Sequence, residues 1–263
     1  MAATSLSNYV FTSSAMITSI LGRWDFEIGI NGTVAYDVSG QGLNGSMING
    51  VRFIGPGGAP QGEYVVFLNA TLMQYILLPP VVVYEQETRM MWIRTTTNSS
   101  FASLLSLTDD MSVISSEFRL HNSCVSFLLF TGPTMGFTSP SSNCTLLDDG
   151  QWHHVAMTRS GSLVTLFVDG RVELAQNLSL NLDAILNVTK YFTHMSIGAR
   201  YFSTIESTRN PLYFNGELDD VRIYNYVLMA SDIAAIGKWS YIYNVCLLFA
   251  CMRIIFHRID IVG

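Results

Sequence analysis

Short stretches in which apolar and polar residues alternate, or in which β-branched and aromatic residues cluster, recur along the whole chain with turn-forming residues between them. A period of two places successive side chains on opposite faces, which is typical of a β-strand with one buried face. The predicted strands are Arg23–Gly29, Thr33–Tyr36, Glu63–Leu68, Gln74–Leu78, Thr88–Thr95, Ser103–Leu107, Val113–Leu120, Cys124–Phe130, Gln151–Arg159, Ser162–Val168, Arg171–Ala175, His194–Gly198 and Phe214–Tyr224. No helical pattern separates them, so the chain is predicted to be all-β, with two stacked antiparallel sheets.

Two local signals refine this prediction. Asp169-Gly170 lies between two β-rich runs and is a two-residue turn that permits positive φ, so the flanking runs are predicted to pair as a hairpin. One short C-terminal helix is predicted where Ser231 can cap the first turn, Asp232 favours the helix dipole and Gly237 can end the helix.

The chain has no internal repeat, low-complexity segment or linker, which predicts one domain over 23–237, an N-terminal segment at 1–22 and an apolar tail at 238–263. No signal peptide is visible between Met1 and Leu21. Trp239–Met252 is almost wholly apolar, but as a helix it would rise only about 21 Å against a hydrocarbon core of about 30 Å. A membrane contact through the tail is therefore marginal. The alternatives are a tail that packs on the domain and the non-native end of an incomplete chain.

Composition narrows the function. The 263 residues are 49% apolar and only 13% charged, against about 25% charged residues in an average soluble domain. The chain carries 14 basic and 20 acidic residues and a net charge of -6. Binding to a phosphate backbone requires clustered Lys and Arg, so this balance argues against a nucleic-acid partner.

Sequons for N-glycosylation are more frequent than chance predicts. Seven occur where the Asn, Ser and Thr content leads to an expectation of about three. They begin at Asn31, Asn44, Asn69, Asn98, Asn143, Asn177 and Asn187. The excess favours an extracellular or cell-surface glycoprotein, while the alternative is a Ser-, Thr- and Asn-rich β-protein with accidental sequons.

The four cysteines fall into two pairs. Neither Cys124 with Cys144 nor Cys246 with Cys251 has the spacing of a zinc site, and no His lies near either pair at zinc-ligand spacing. A disulfide is the functional interpretation of the first pair, and two buried thiols are the alternative.

Read in order, several short motifs resemble those of the LamG-like jelly-roll domains of the concanavalin A-like lectin and laminin G superfamily. They are Trp24-Asp25-Phe26, Asp37-Val38-Ser39-Gly40, Val66-Phe67-Leu68-Asn69, Tyr75-Ile76-Leu77-Leu78-Pro79, Met91-Trp92-Ile93, Trp152-His153-His154-Val155-Ala156, Leu166-Phe167-Val168-Asp169-Gly170, Ile197-Gly198-Ala199 and Glu217-Leu218-Asp219-Asp220-Val221-Arg222-Ile223-Tyr224. No single motif is specific to this superfamily, but the order of the motifs from about Arg23 to Gly237 is specific to it. The resemblance implies an antiparallel jelly-roll sandwich.

The resemblance also implies that the glycine-rich loop after Asp37 approaches the strand that carries Asp219 and Asp220. Asp37, Asn44 and one of these two carboxylates would then offer the oxygen ligands that Ca²⁺ prefers. Adjacent strand residues point to opposite faces, and Asp219 is the favoured ligand. The alternative is that Asp37 and Asn44 only stabilise turns through side-chain hydrogen bonds.

Glucanases on the same fold place carboxyls along one strand, and Glu217 and Asp219 would share a face here. A laminarinase-type glycoside hydrolase is therefore the alternative function, although Val221 and Arg222 stand where the acid/base partner would be. Adjacent strand residues cannot chelate one ion, so His153 and His154 are not predicted to bind a metal. Along this strand, Trp152, His154 and Ala156 are predicted to share one face and Val155 to lie on the other. The favoured function is a non-catalytic extracellular recognition or adhesion module for glycan or protein ligands. Its candidate binding residues are the rim aromatics Tyr201, Phe202 and Tyr213.

Overall fold

The computed structural model describes residues 20–56, 58–81, 85–109, 114–131, 135–138, 144–178, 192–200 and 212–238. The strands in these ranges are β1 (Ile20–Trp24), β2 (Val34–Ala35), β3 (Gly45–Ile48), β4 (Arg52–Ile54), β5 (Val65–Leu68), β6 (Tyr75–Leu78), β7 (Gln86–Arg94), β8 (Phe101–Thr108), β9 (Ile114–His121), β10 (Cys124–Thr131), β11 (Met135–Thr138), β12 (Trp152–Ser160), β13 (Leu163–Val168), β14 (Arg171–Asn177), β15 (His194–Ile197) and β16 (Gly216–Tyr224). A 3-10 turn spans Ala70–Leu72 and an α-helix, α1, spans Ala230–Ile236.

The strands form two antiparallel sheets of eight strands each. The first sheet has the order β14-β13-β12-β7-β16-β5-β4, with β1 paired to β16, and the second has the order β11-β10-β9-β8-β15-β6-β3-β2. Neighbours in each sheet are often far apart in sequence, as in a jelly roll. The predicted all-β sandwich is confirmed.

The main core lies between the sheets and is built from alternate residues of both. The first sheet contributes Met91, Ile93, Val155, Met157 and Leu218, among others. The second contributes Ile76, Leu107, Phe118, Phe127 and Ile197, among others. Burial of such side chains at about 25 cal/mol per Å² of apolar surface is the main stabilising term, and it fixes which face of each strand turns inward.

Two local predictions are confirmed. Val155 lies in the main core, whereas Trp152 and Ala156 on the same strand pack into smaller clusters on the opposite face of the sheet. Strands β13 and β14 pair through a turn in which Asp169 and Gly170 have φ of 50° and 74°. This is the positive-φ hairpin that the Asp-Gly pair predicts.

Most predicted strands differ from the observed ones by one or two residues at an end, and β3, β4 and β11 were not predicted. Two larger or functional differences have a clear local cause. Strand β1 begins at Ile20 and ends at Trp24, because Phe26 has a φ of 59° and so leaves the extended region before Gly29. Helix α1 begins one residue before Ser231, and Met229 holds the N-cap position without a side-chain hydrogen bond. Ser231 therefore cannot act as the cap, while Gly237 does end the helix.

A cluster of buried charges lies between the sheets at one end of the sandwich. Glu87 Oε1 accepts a hydrogen bond from Arg159 Nε at 2.7 Å and its Oε2 accepts one from Arg89 Nε at 2.9 Å. Burial alone would raise the pKa of Glu87, but the two guanidiniums outweigh this effect and hold the pKa below its usual range. Arg89 also donates to Ser116 Oγ at 2.6 Å, so the cluster connects the two sheets.

Cys124 and Cys144 form a disulfide with a Cα–Cα distance of 5.9 Å, which joins the start of β10 to the segment before β12. The second cysteine pair, Cys246 and Cys251, lies outside the described residues, as do the apolar tail beyond 238 and residues 1–19. In the part of the chain that the structure describes, no helix has both the length and the apolar character needed to cross a membrane.

Candidate functional site

A row of side chains crosses the first sheet on the face opposite the main core. Trp152 on β12 pairs with Arg94 on β7, Arg94 pairs with Glu217 on β16, and Glu217 pairs with Phe67 on β5, which in turn pairs with Arg52 on β4. Residues directly opposite on neighbouring strands share a face, so the five side chains stand side by side. We name them the groove row.

The middle of the groove row is tied together by electrostatic contacts. Arg94 forms an ion pair with Glu217, and its guanidinium lies over the Trp152 ring at 5.1 Å from the ring centre. Trp152 is fixed in turn, because its indole N–H donates to the carbonyl of Gly58 at 2.9 Å. The side chains of Arg94 and Glu217 are 38% and 15% exposed. The ion pair is therefore fixed by the Trp152 ring and remains partly accessible to solvent.

A groove of about 160 Å³ lies over this ion pair. Its lining residues are Phe67, Arg94, Thr95, Thr96, Gly150, Asn215, Gly216 and Glu217. The walls are hydrogen-bonded to each other: Gly150 N–H donates to Thr95 O at 2.9 Å, and the Thr95 hydroxyl donates to Asn215 O at 2.6 Å. Hydrogen bonds within the folded chain thus fix the walls of the groove.

Two glycines keep the groove in this shape. A Cβ at Gly216, where φ is 152°, would lie 2.4 Å from the carbonyl oxygen of Arg94. A Cβ at Gly150, where φ is 78°, would lie 3.1 Å from Cγ2 of Thr96 across the groove. Side chains at either position would strain the backbone and either separate the strands or narrow the opening.

The next row of side chains on the same face of the first sheet is buried. His154, Trp92 and Asp219 occupy corresponding positions on β12, β7 and β16, and all three are buried. Asp219 is 0% exposed, and its Oδ2 accepts a hydrogen bond from Gln61 N–H in the loop that covers it, at 2.9 Å. Burial raises the pKa of Asp219 to about 8 and lowers the pKa of His154 to about 4. Both side chains are therefore mainly uncharged at pH 7.

This burial bears on the hydrolase alternative. A retaining glycosidase needs two accessible carboxyl groups about 5 Å apart. Glu217 borders the groove, but Asp219 has no exposed surface, and Val221 lies in the main core. The strand therefore presents one carboxylate, already paired with Arg94, to a ligand in the groove.

The predicted calcium ligands are placed as follows. Asp37 Oδ1 accepts hydrogen bonds from the backbone N–H groups of Arg23 and Ser39 at 3.0 and 2.9 Å, and Oδ2 accepts one from Leu43 at 2.9 Å. Asn44 Oδ1 accepts the N–H of Asp37 at 2.9 Å. Burial alone would raise the pKa of Asp37, but a hydrogen bond from the Ser39 side chain and those from the backbone N–H groups lower it. Asp37 and Asn44 therefore stabilise the turns of this loop, as the alternative to a calcium site predicts. Calcium binding itself stays a prediction.

Asp219 and Asp220 point in different directions. Asp220 has a φ of 45° at a register shift in β16, and its carboxylate accepts hydrogen bonds from Arg23 Nε at 2.9 Å and Arg222 Nε at 3.0 Å. Arg23 also donates its backbone N–H to Asp37. Asp220, and not the favoured Asp219, is thus connected to the Asp37 loop. Among the described residues, no three His, Cys, Asp or Glu side chains cluster closely enough to hold a metal ion.

Of the predicted rim aromatics, Tyr201 and Phe202 lie outside the described residues. Tyr213 packs against Tyr75 with ring centres 6.2 Å apart, and it precedes the groove residue Asn215 by two positions.

The sequons at Asn31, Asn44, Asn98 and Asn177 are exposed and that at Asn69 is half-buried, because its side chain caps the 3-10 turn. Asn143 and Asn187 lie outside the described residues. Glycosylation at all seven stays a prediction.

Sequence reasoning found only part of the groove row. Glu217 was considered only as a carboxylate of the hydrolase alternative, and Trp152 only as part of a family motif. Arg94, Phe67 and the groove itself were missed as functional features. Only the pairing of strands brings these residues together, since Phe67 and Glu217 lie 150 positions apart in the chain.

Comparisons with known proteins agree with this architecture. Domain 4 of AbnA, an extracellular GH43 arabinanase from Geobacillus stearothermophilus solved with arabinotriose, superposes with a TM-score of 0.63 at 14% identity, over 84% of this chain and 99% of that one. The binding domain of botulinum neurotoxin DC, solved with rat synaptotagmin II, superposes with a TM-score of 0.60 at 10% identity, over 83% of this chain. The binding domain of Paraclostridial Mosquitocidal Protein 1 gives 0.59 at 15% identity, also over 83% of this chain.

At these identities the likeness is one of fold. The chain spans about half the length of the two toxin domains, 51% and 52%. No curated protein sequence matches this chain. A family model described as the concanavalin A-like lectin/glucanases superfamily, of the laminin G type, matches residues 71–234, which is more than half of the sequence. The chain therefore belongs to the concanavalin A-like lectin/glucanase superfamily.

Proposed function

We propose that this protein is a non-catalytic extracellular recognition module that binds a glycan in the groove above Arg94 and Glu217. The observation that carries the proposal is the groove row, in which an aromatic side chain and a partly exposed ion pair border a groove of about 160 Å³. Sites for small ligands combine such apolar walls with a few fixed polar groups.

The size of the groove favours a glycan over a protein ligand. A stable protein–protein interface buries about 800 Å² on each partner, which a groove of this size does not provide by itself. The related domains solved with arabinotriose and with synaptotagmin II support recognition as the general class of function. The accessible groove supports the glycan within that class.

The burial of Asp219 supports a non-catalytic role, because β16 then offers the groove only one accessible carboxylate and a retaining hydrolase uses two. An extracellular location is supported by the disulfide between Cys124 and Cys144 and by the exposed sequons, since disulfides persist in oxidising compartments.

A glycan array, run beside an assay for released reducing sugar, tests the proposal. Thr96→Trp places a large side chain at the exposed edge of the groove and should weaken binding at least tenfold. Val172→Trp is the matched control, because it adds the same side chain at an exposed position on the edge strand β14, three strands from β7. It should leave binding unchanged.

The outcomes separate the two functions. Binding that is lost only in Thr96→Trp, without sugar release, supports the recognition module. Release of reducing sugar would support the hydrolase alternative instead. Binding that survives Thr96→Trp would mean that the ligand site lies elsewhere on the domain.

A further inference from the structure

We infer that the groove selects a single neutral sugar ring, with two neighbouring hydroxyl groups that bridge Arg94 and Glu217, and discriminates against uronic acids. This inference rests on the proposed function and names the class of ligand for the same site. It follows from the charge, the unused hydrogen-bonding atoms and the volume of the groove.

The charges that line the groove cancel. Arg94 and Glu217 are its two charged residues and they form an ion pair. A carboxylate on the ligand would gain an attraction to Arg94 but would be placed beside the carboxylate of Glu217. An amine on the ligand would be attracted to Glu217 but would be placed beside the guanidinium of Arg94. Like charges brought together in a partly buried site reduce affinity, so a neutral ligand is favoured.

The polar atoms left for a ligand are of complementary kinds. The amide of Asn215 is used inside the protein, because its Nδ2 donates to Thr97 at 2.8 Å and its Oδ1 accepts from Ala70 at 3.2 Å. Glu217 buries Oε2 against Arg94, which leaves Oε1 toward the groove. Arg94 can only donate and a carboxylate can only accept.

A hydroxyl group can do both, so two adjacent hydroxyls can accept from Arg94 and donate to Glu217 at once. A carboxylate in place of one hydroxymethyl group keeps the acceptor but adds a charge. The hydrogen-bonding pattern and the charge balance therefore select the same ligand.

The volume limits the ligand to one ring. A cavity of about 150 Å³ holds one benzene molecule, and the groove measures about 160 Å³. Phe67 is half-buried beside Glu217 and offers an apolar surface to one face of that ring. Further units of an oligosaccharide would extend into solvent past Thr96, which is exposed at the edge.

Calorimetric titration with matched pairs of short oligosaccharides tests the inference. Each pair ends in glucose or glucuronic acid, in galactose or galacturonic acid, or in mannose or mannuronic acid, and is otherwise identical. For the sugar that binds, the wild type should prefer the neutral member at least tenfold. This comparison needs no variant and so does not depend on the folding of one.

The charge balance is tested by Glu217→Gln, which keeps the size of the side chain and leaves Arg94 unpaired. The ratio of neutral to acidic affinity should fall at least tenfold. Glu85→Gln is the matched control, because Glu85 is an exposed carboxylate just before β7, at the opposite end of that strand from Arg94, and it should leave the ratio unchanged.

Failure of the inference and failure of the proposed function give different results. Tighter binding of the acidic members to the wild type, lost in Thr96→Trp, would overturn the neutral selectivity while keeping the groove as the site. An unchanged ratio in Glu217→Gln would also overturn it. If none of the oligosaccharides bound, or if binding were indifferent to Thr96→Trp, the proposed function itself would fail.

Discussion

Replacing Asp219 by asparagine removes a carboxyl group that the folded protein keeps protonated at neutral pH. The side chain is 0% exposed, and burial raises its pKa from 3.8 to about 8. Asparagine has nearly the same shape and keeps an acceptor for the N–H of Gln61, which lies 2.9 Å from Oδ2. The variant therefore changes the titration of this position while preserving its contact with the covering loop.

The expected magnitude follows from the two pKa values. Between pH 4 and pH 7 the unfolded chain releases the proton of Asp219, whereas the folded chain retains it. The free energy of unfolding of the wild type therefore falls as pH rises, because the unfolded state binds fewer protons. With an unfolded pKa of 3.8 and a folded pKa of about 8, the loss over this range is about 4 kcal/mol.

Urea unfolding followed by tryptophan fluorescence at pH 4, 5, 6 and 7 measures this effect. The stability of Asp219→Asn minus that of the wild type should grow by about 4 kcal/mol from pH 4 to pH 7. Asp148→Asn makes the same replacement in a loop outside this sheet face and serves as the control. A difference that stays constant with pH would refute the reasoning and would mean that Asp219 is ionised in the folded state.

Three further predictions concern the disulfide, a histidine on strand β12 and calcium. Replacing Cys124 and Cys144 by serine opens a loop with a sequence separation of 20 and should reduce the free energy of unfolding by about 3 kcal/mol; unchanged calorimetric stability would contradict this. The hydrogen bond to Asp169, with a second carboxylate nearby, raises the pKa of His153. The protonated His153 therefore stabilises the folded state below the unfolded pKa of about 6.5, and this stabilisation is lost as pH rises through the folded pKa. His153→Gln should reduce the free energy of unfolding more at pH 5.5 than at pH 8.5. An equal reduction at both pH values would contradict this prediction. Calcium at about 100 times its dissociation constant would add about 2.7 kcal/mol, and Asp37→Ala should abolish that gain. Equal unfolding midpoints in calcium and in chelator would leave Asp37 as a turn residue.

Much of the fold could be predicted because its signals are local. Alternation along Gln151–Arg159 placed Val155 on one face and Trp152 on the other, and the core uses them in that way. The Asp169-Gly170 turn needs only two residues to set its backbone, so the hairpin was predicted where it occurs. The two stacked sheets followed from many such strands and from the order of the family motifs.

The environment of each carboxyl was not available from the sequence. Glu217 and Asp219 share one face of β16, as alternation predicts. Glu217 nevertheless borders a groove, whereas Asp219 is fully buried. The difference comes from the loop that carries Gln61, which lies 158 positions away in the chain and hydrogen-bonds to Asp219. Similarly, the positive φ of Asp220 turned that side chain toward Arg23, which no local pattern signalled.

The sequence by itself therefore determined most of the strands, their buried faces and the sandwich, since these depend on the alternation of side chains along a single strand. Only the tertiary structure decided the groove. Its ion pair joins Arg94 to Glu217 across two strands whose register is set by long-range pairing, and the described part of the chain between them contains eight other strands. A shift of one residue in that register would move one partner to the core face, so the site exists only once the sheet is assembled.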